Sequence, residues 1–221
     1  SAGSGAAVAV GCVGFAIGSE TLGSILSPAD RCGTVGLRPT FGRVPRSGAM
    51  ALCWSLDKLG PLTRGAEDTM LVLDAIDAFH SADAGSRDVP LDFDARRSVE
   101  GAVIGYDPAW LEGPVGTQAD RDALKALKRA GCRARKISLP DLPYDSLETI
   151  LNVEAAAAFE ELTLDGRDDD LPLQGDVSWS NEFRKAHLVS AVALVQAERL
   201  RRRTMQAMAE VLEGVDGLRA P

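Results

Sequence analysis

Histidine and cysteine are scarce in this chain of 221 residues, which contains two histidines and four cysteines. The cysteines show no C-x-x-C spacing, and neither histidine lies near a cysteine in the sequence. A zinc site needs three or four such ligands at close spacing, so the sequence predicts no metal site. We expect the thiols to be buried structural groups, as the apolar or glycine-rich surroundings of Cys12 and Cys32 indicate.

Long apolar runs and an excess of positive charge are also missing. No run approaches the roughly 20 residues that a membrane-spanning helix needs. The 32 acidic residues outnumber the 24 basic ones and give a net charge of −8, whereas nucleic-acid binding favours a basic surface. We therefore expect neither a membrane nor a nucleic-acid partner. No signal peptide is visible, and a cytoplasmic location is favoured.

Nucleotide and calcium motifs are absent as well. No G-x-G-x-x-G follows Tyr106, and no Gly-Lys-Ser/Thr follows Gly3-Ser4-Gly5, so neither a dinucleotide site nor a P-loop is indicated. The aspartates between residues 165 and 170 lack the spacing of a calcium loop. They favour a solvated loop, and the arginines at 199 and 201–203 favour a solvated helix face over RNA contact. The sequence predicts no cofactor.

The segment 1–46 is the most informative part of the chain. Residues 5–12 have small side chains that suit a buried helix, and residues 13–17 are typical of a buried strand. A polar turn follows, in which Gly23 directly precedes Ser24. Spacing alone leaves two interpretations open: Ser24 is a helix N-cap, or it is a nucleophile on which backbone N–H groups converge. The G-x-S-x-G elbow is not met.

Four collinear motifs carry a resemblance to a known family. They are Ser1-Ala2-Gly3-Ser4-Gly5-Ala6-Ala7, Gly18-Ser19-Glu20-Thr21-Leu22-Gly23-Ser24-Ile25, Cys32-Gly33-Thr34-Val35-Gly36-Leu37-Arg38-Pro39-Thr40-Phe41-Gly42-Arg43-Val44 and Asp57-Lys58-Leu59-Gly60-Pro61-Leu62-Thr63-Arg64. In order and content they resemble the amidase signature family. The resemblance implies an α/β fold, with a mixed β-sheet covered by helices on both faces, here incomplete.

The resemblance also implies a reaction and a set of site residues. It implies an amide hydrolase acting on carbon–nitrogen bonds other than peptide bonds, through a Ser-cisSer-Lys mechanism with an acyl-enzyme intermediate. Ser24 matches the nucleophile, and the backbone N–H groups of Thr21, Leu22 and Gly23, with that of Ser24, match the oxyanion hole. Ser1 matches the neighbour of the cis-serine, or the cis-serine itself if the alignment shifts by one. The implied partner is a small-molecule amide.

A catalytic lysine has no match in this chain. All five lysines follow Ser24, whereas the family's lysine precedes the Gly/Ser-rich loop. The resemblance therefore implies that residues 1–221 are a partial domain, inactive by itself, with a signature core at 1–80 and a substrate-side region at 98–221. We expect uncovered edges to make the isolated chain associate, with itself or with the remainder of the domain.

Three substitutions bear on the substrate. Leu26 stands where the family usually has arginine, which removes bidentate recognition of an anion and favours neutral amides. Leu22 replaces a glycine, and Glu20 replaces an aspartate. Two alternatives remain: the glutaminase-type (A-type) subunit of a tRNA-dependent amidotransferase, which Leu26 disfavours, and a non-catalytic amide-binding protein.

The remaining periodicities predict further elements. Helices are predicted at 66–79, 117–130, 146–161 and 181–213, strands at 102–106 and 133–139, and a connecting loop at 81–97. The helix at 66–79 is expected to bury Val72, Ile76 and Phe79, and His80 is expected at its C-terminus. Trp179 and Phe183 either line a substrate pocket or pack in a core.

Overall fold

The computed structural model describes residues 1–114 and 116–220 and shows an α/β protein. These residues form two compact units. The first unit combines Ser1–Ala95 with Thr149–Val189, and the second combines Arg96–Glu148 with the chain from Ser190 onward. The first unit is therefore assembled from two separate stretches of sequence.

The helices and strands follow in chain order. The helices are α1 (Ala2–Ala9), α2 (Leu26–Cys32), α3 (Ala66–Ile76), α4 (Pro108–Glu112), α5 (Gln118–Arg129), α6 (Glu148–Ala158), α7 (Glu160–Leu164), α8 (Trp179–Ala186) and α9 (Ala191–Val211). The strands are β1 (Phe15–Glu20), β2 (Val35–Gly36), β3 (Lys58–Thr63), β4 (Val103–Tyr106), β5 (Arg133–Lys136) and β6 (Gly217–Arg219). Among the helices of the described residues, none combines the length and the apolar character that crossing a bilayer requires.

The sheet of the first unit is antiparallel, and β3 lies between β1 and β2. Val8 of α1, Ala29 of α2 and Leu62 of β3 meet Ile25 in a small buried cluster. The expected helix at 5–12 is confirmed in part, because α1 ends at Ala9. The small residues of α1 let it pack closely against both the sheet and α2.

The expectation of a buried strand at 13–17 is wrong. β1 begins at Phe15, whose side chain is 53% exposed, and Ile17 is 39% exposed. Further along the same strand, Gly18 and Glu20 are buried. The reason is that β1 is an edge strand with one packed face, so its residues alternate between core and solvent.

The second unit contains a parallel sheet in the order β5-β4-β6. The predicted strand at 102–106 and helix at 117–130 are confirmed as β4 and α5, while the strand at 133–139 ends earlier, at Lys136. Thr117 caps α5 in a capping box with Asp120. Hydrogen bonds from Thr117, and then an ion pair with Arg219, lower the pKa of Asp120 to about 2.

The two longest predicted helices are each interrupted. The stretch 146–161 forms a 3₁₀ turn (Tyr144–Leu147), then α6 and α7, with Phe159 outside helical geometry at φ −117° and ψ 24°. The stretch 181–213 divides into α8 and α9, because Ser190 is extended and its side chain accepts a hydrogen bond from Ala193 N at 3.1 Å. Hydrophobic periodicity continues across such breaks and does not reveal them.

The helix predicted at 66–79 ends at Ile76, because Asp77 adopts extended geometry. Its buried residues are Thr69 and Leu73, and Phe79 is exposed, so the expected face including Phe79 is wrong. His80 lies beyond the helix, where its Nδ1 is 2.8 Å from Ser47 Oγ. The loop predicted at 81–97 is confirmed.

Candidate active site

A cavity of about 860 Å³ lies in the first unit. The predicted site residues Ser1, Thr21 and Ser24 all line it. Its other walls come from the segment 46–54, the loop around Asp83 and the helices α7 and α8. The fold therefore brings a serine turn, a polar loop and an apolar helical wall together around one space.

Ser24 occupies the turn between β1 and α2. Gly23 has φ +82°, a left-handed conformation that glycine adopts without strain, and this places Ser24 at the exposed tip of the turn. The N-cap of α2 is Ile25, so the interpretation of Ser24 as N-cap is wrong. Among the described residues, no hydrogen-bond partner engages the Ser24 hydroxyl.

Glu20 takes over the capping of α2. Its Oε2 accepts hydrogen bonds from Ile25 N at 2.8 Å and Leu26 N at 3.0 Å, although its side chain is fully buried. Arg38 Nη1 lies 3.6 Å from the other oxygen and balances the buried charge. A carboxylate that reaches across the turn to two backbone donors fixes the chain on both sides of Ser24 and leaves its hydroxyl unused.

The backbone N–H groups of residues 21–24 are free of acceptors in the described part of the chain. Two contacts hold this segment in place: Thr21 Oγ1 donates to Asp57 at 2.6 Å, and Lys58 Nζ donates to Thr21 O at 3.2 Å. The second oxygen of Asp57 accepts from the backbone of Leu52 and Cys53, at 2.8 and 3.0 Å. Free amides on an anchored loop can stabilise an oxyanion. Their assignment as an oxyanion hole stays a prediction.

Ser1 is tied to the strand that leads into the turn. Its hydroxyl accepts from Ser19 N and donates to Ser19 O, both at 3.0 Å. The hydroxyl therefore already has a donor and an acceptor partner on β1. This arrangement favours Ser1 as the neighbour of a relay serine, and the assignment stays a prediction.

Lys58 is the lysine whose pKa is clearly shifted by its surroundings. Burial, and then the nearby Arg38, lower the pKa of its ammonium group. Its Nζ is directed to Thr21 O, and Lys58 does not line the cavity. Its contact therefore supports the loop around Thr21 and does not supply a base to Ser24.

Arg46 is the cationic residue among the described residues that line the cavity, and its guanidinium group is engaged. Arg46 binds Asp83 through Nε at 3.1 Å and Nη2 at 3.0 Å, and its Nη1 donates to the carbonyl of Trp54 at 2.6 Å. These hydrogen bonds hold the pKa of Asp83 well below its usual range. Since the pair is neutral overall and its donors are used, Arg46 offers no free fork to a ligand carboxylate. No sequence motif singled out Arg46 or Asp83.

Glu154 of α6 contacts the loop at Cys53 and Ser55, which Asp57 also holds through the backbone of Leu52 and Cys53. Its carboxylate accepts from Ser55 N at 2.9 Å, from Ser55 Oγ at 2.5 Å and from Cys53 Sγ at 3.3 Å. Burial, followed by the contact with Glu154, raises the pKa of Cys53 to about 12. Cys53 is therefore held as a thiol. These residues lie about 100 positions apart in the chain, so the local sequence around each carried no signal of the contact.

The expectations for the other cysteines and aspartates are correct in part. Cys132 is buried as expected, but Cys12 is exposed because α1 ends before it. Asp168 is buried against Arg184, so a fully solvated loop at 165–170 is wrong. No cluster of three metal-ligating side chains occurs within residues 1–114 and 116–220.

Comparison with known proteins gives a consistent picture. A family model described as Amidase matches residues 1–221. The A-type subunit of the glutamyl-tRNA(Gln) amidotransferase of Staphylococcus epidermidis is 41% identical over 165 residues, or 71% of this chain and 34% of that protein. The chain thus spans about a third of the length of this curated relative.

Solved structures show the same relationship. One match is a chain of an inhibitor-bound vestigial protein complex that reveals the evolutionary origins of an s-triazine catabolic enzyme. Its TM-score is 0.82 at 29% identity. A bacterial aryl acylamidase of the amidase signature enzymes has a TM-score of 0.80 at 25% identity. Each match covers 98% of this chain and 47% of the other.

Proposed function

Because the chain belongs to the amidase family, we propose that it carries the nucleophile of an enzyme that hydrolyses neutral carboxamides. The observation that carries this proposal is the free hydroxyl of Ser24, which faces the cavity while Glu20 caps α2. The bonds hydrolysed are carbon–nitrogen bonds other than peptide bonds, as the resemblance implies.

The reaction proceeds through an ester on Ser24. The Ser24 oxygen attacks the amide carbonyl carbon and loses its proton, and the carbonyl oxygen gathers negative charge near the free N–H groups of residues 21–24. The carbon–nitrogen bond then breaks, and the nitrogen leaves protonated, as ammonia or an amine. Water hydrolyses the ester and restores the hydroxyl. The resemblance assigns the proton transfers to a cis-serine and a lysine, and no lysine of this chain matches that role.

The neutrality of the substrate follows from the state of the charges at the cavity. Arg46 is committed to Asp83, and both oxygens of Asp57 are engaged by Thr21, Leu52 and Cys53. Leu26 replaces the arginine that is usual after Gly-Ser-Ile in the family. A charged substrate that entered the cavity would lose its hydration and would find no free partner of opposite charge there.

Substitution of the serine tests this proposal directly. In protein expressed from the complete reading frame that contains this chain, Ser24→Ala should lower amide turnover by at least about a thousandfold. A serine-reactive phosphonate should label Ser24, as read by peptide mass spectrometry. Ser27→Ala, a nearby exposed serine on α2, is the matched control. Undiminished turnover by Ser24→Ala would overturn the proposal, and binding without any adduct would favour a non-catalytic protein.

A second candidate is an amidotransferase subunit of the A type, favoured by the 41% identity with the Staphylococcus epidermidis protein. Glutamine is a zwitterion, and the engaged charges at the cavity leave its carboxylate without a partner. Stable co-purification with partner subunits, together with Ser24-dependent glutaminase activity, would establish this candidate instead of the first.

A further inference from the structure

Three aromatic rings form a continuous stack along one wall of the cavity. The centroids of Phe159 and Phe183 lie 5.1 Å apart with planes at 17°, and those of Phe183 and Trp179 lie 5.7 Å apart at 29°. Phe183 is buried at the centre of the stack. All three residues line the cavity.

The outer ring of this stack is left open. Trp179 is 44% exposed, although its indole is already stacked on Phe183 on one side. Trp54 and Met50 line the same cavity and are also exposed, at 51% and 85%. Large apolar side chains that converge on one space, instead of lying scattered over a surface, mark a ligand site.

The shape and chemistry of the space select a flat apolar group. Aromatic rings prefer offset stacking at centroid distances of roughly 4.5–7 Å, which is the spacing already present within the stack. The volume of about 860 Å³ is ample for a ring together with an amide group. The engaged Arg46–Asp83 pair gives no advantage to a charged substituent.

We propose that this cavity binds the aromatic ring of a neutral aryl amide against the stack of Phe159, Phe183 and Trp179. The amide group is then directed towards Ser24, which lines the same space. The reaction of that amide rests on the function proposed above, whereas the recognition of the ring does not. Recognition can therefore be measured without turnover.

The experiment compares two amides of matched size. The Ser24→Ala protein, from the complete reading frame, is titrated with benzamide and with cyclohexanecarboxamide by calorimetry. Benzamide should bind roughly two- to tenfold more tightly, the range that one aromatic contact supplies. Trp179→Ala should remove that preference, and Trp179→Phe should retain most of it. Trp110→Phe, a tryptophan outside the cavity lining, is the matched control and should change neither affinity.

The outcomes separate recognition from reaction. Equal affinity for the two amides, or a Trp179→Ala variant that keeps the preference, overturns the aromatic site. The variant at Trp179 changes an exposed side chain, and its far-ultraviolet circular dichroism verifies the fold. Preference for benzamide without Ser24-dependent hydrolysis supports the site and defeats the proposed function. Hydrolysis of aliphatic amides in preference to benzamide supports the function and defeats the site.

Discussion

Single side chains determine the conformation of the serine turn. In many helices the serine nearest the start would accept a backbone hydrogen bond, which would occupy its hydroxyl. Here the carboxylate of Glu20 makes the contacts to Ile25 and Leu26 instead. The extra methylene of glutamate, compared with the family's usual aspartate, lengthens the reach of the carboxylate to these donors and to Arg38. A buried acid thus leaves a neighbouring hydroxyl available for chemistry.

The ion pair between Asp83 and Arg46 makes the stability of the fold depend on pH. The folded-state pKa of Asp83 lies below its ordinary value of 3.8, so the pair stabilises the fold above about pH 4 and loses its contribution as the pH falls further. Asp83→Asn should lower the free energy of unfolding by about 2–3 kcal/mol at pH 7. The difference from the unsubstituted protein should shrink at pH 3, as measured by urea unfolding.

The control for this measurement is Asp74→Asn, at an exposed position of α3. It should leave the unfolding free energy within about 0.5 kcal/mol at both pH values. A deficit of Asp83→Asn that stays constant between pH 7 and pH 3 would contradict the assigned titration.

At the scale of elements, sequence patterns located most helices of the described residues but only half of the strands, since β2, β3 and β6 were not predicted, and they did not fix the ends of the elements. The motifs around Ser24 and Asp57 predicted the family, and the turn that they identified lines the cavity. They could do so because they encode local backbone geometry. The breaks at Phe159 and Ser190 were missed, since apolar spacing continues on either side of them. The exposure of β1 was missed because a strand's place at a sheet edge depends on pairing with distant residues.

Contacts between distant segments could not be read from the sequence either. Trp179 and Phe183 were candidates for a pocket, and both line it, but Phe159 joins them only because α6 ends one residue before it. Arg46 and Asp83 lie in segments that carry no motif for their pairing. Such pairs depend on the tertiary fold, which local periodicity does not specify.

Strand β1 offers an edge for association. Within the part of the chain that the structure describes, β1 pairs with β3 alone, and Phe15 and Ile17 leave apolar surface on it. The purified 221-residue chain should therefore show a mass above 23.3 kDa that rises with concentration in light scattering. Phe15→Lys should lower that association, because charge on an edge strand opposes pairing.

Leu188→Lys provides the matched control for Phe15→Lys. Leu188 is also strongly exposed, but it lies outside the strands, between α8 and α9. Equal loss of association in both variants would indicate general apolar adhesion instead of an effect of β1. A monodisperse chain at all concentrations would contradict the prediction outright.

At the scale of the whole molecule, the net charge of −8 disfavours an anionic substrate, and so does the engagement of Arg46 with Asp83 at the cavity. Butyramide and succinamate are close in size, and only succinamate carries a carboxylate. We expect kcat/KM to be at least about tenfold higher for butyramide, because the anion is repelled at long range and unpaired on binding.

Salt separates these two contributions. Raising the ionic strength from about 0.05 to about 0.5 M screens long-range repulsion, so it should narrow the preference only in part. The remaining preference then reflects the cavity itself. Faster turnover of succinamate at any ionic strength would show that a free cation is present at the site.

The first unit takes its two stretches from either side of the segment Arg96–Glu148. During synthesis, Ser24 and the loop at Cys53 leave the ribosome well before Glu154 and the rings of Phe159, Phe183 and Trp179. At the usual pace of about 5 to 20 residues per second, the roughly 130 residues from Cys53 to Phe183 take about 6 to 26 s. For that interval the nascent chain carries its serine turn beside an unfinished apolar wall. Chaperone capture in the cell should therefore concentrate on this stage of elongation.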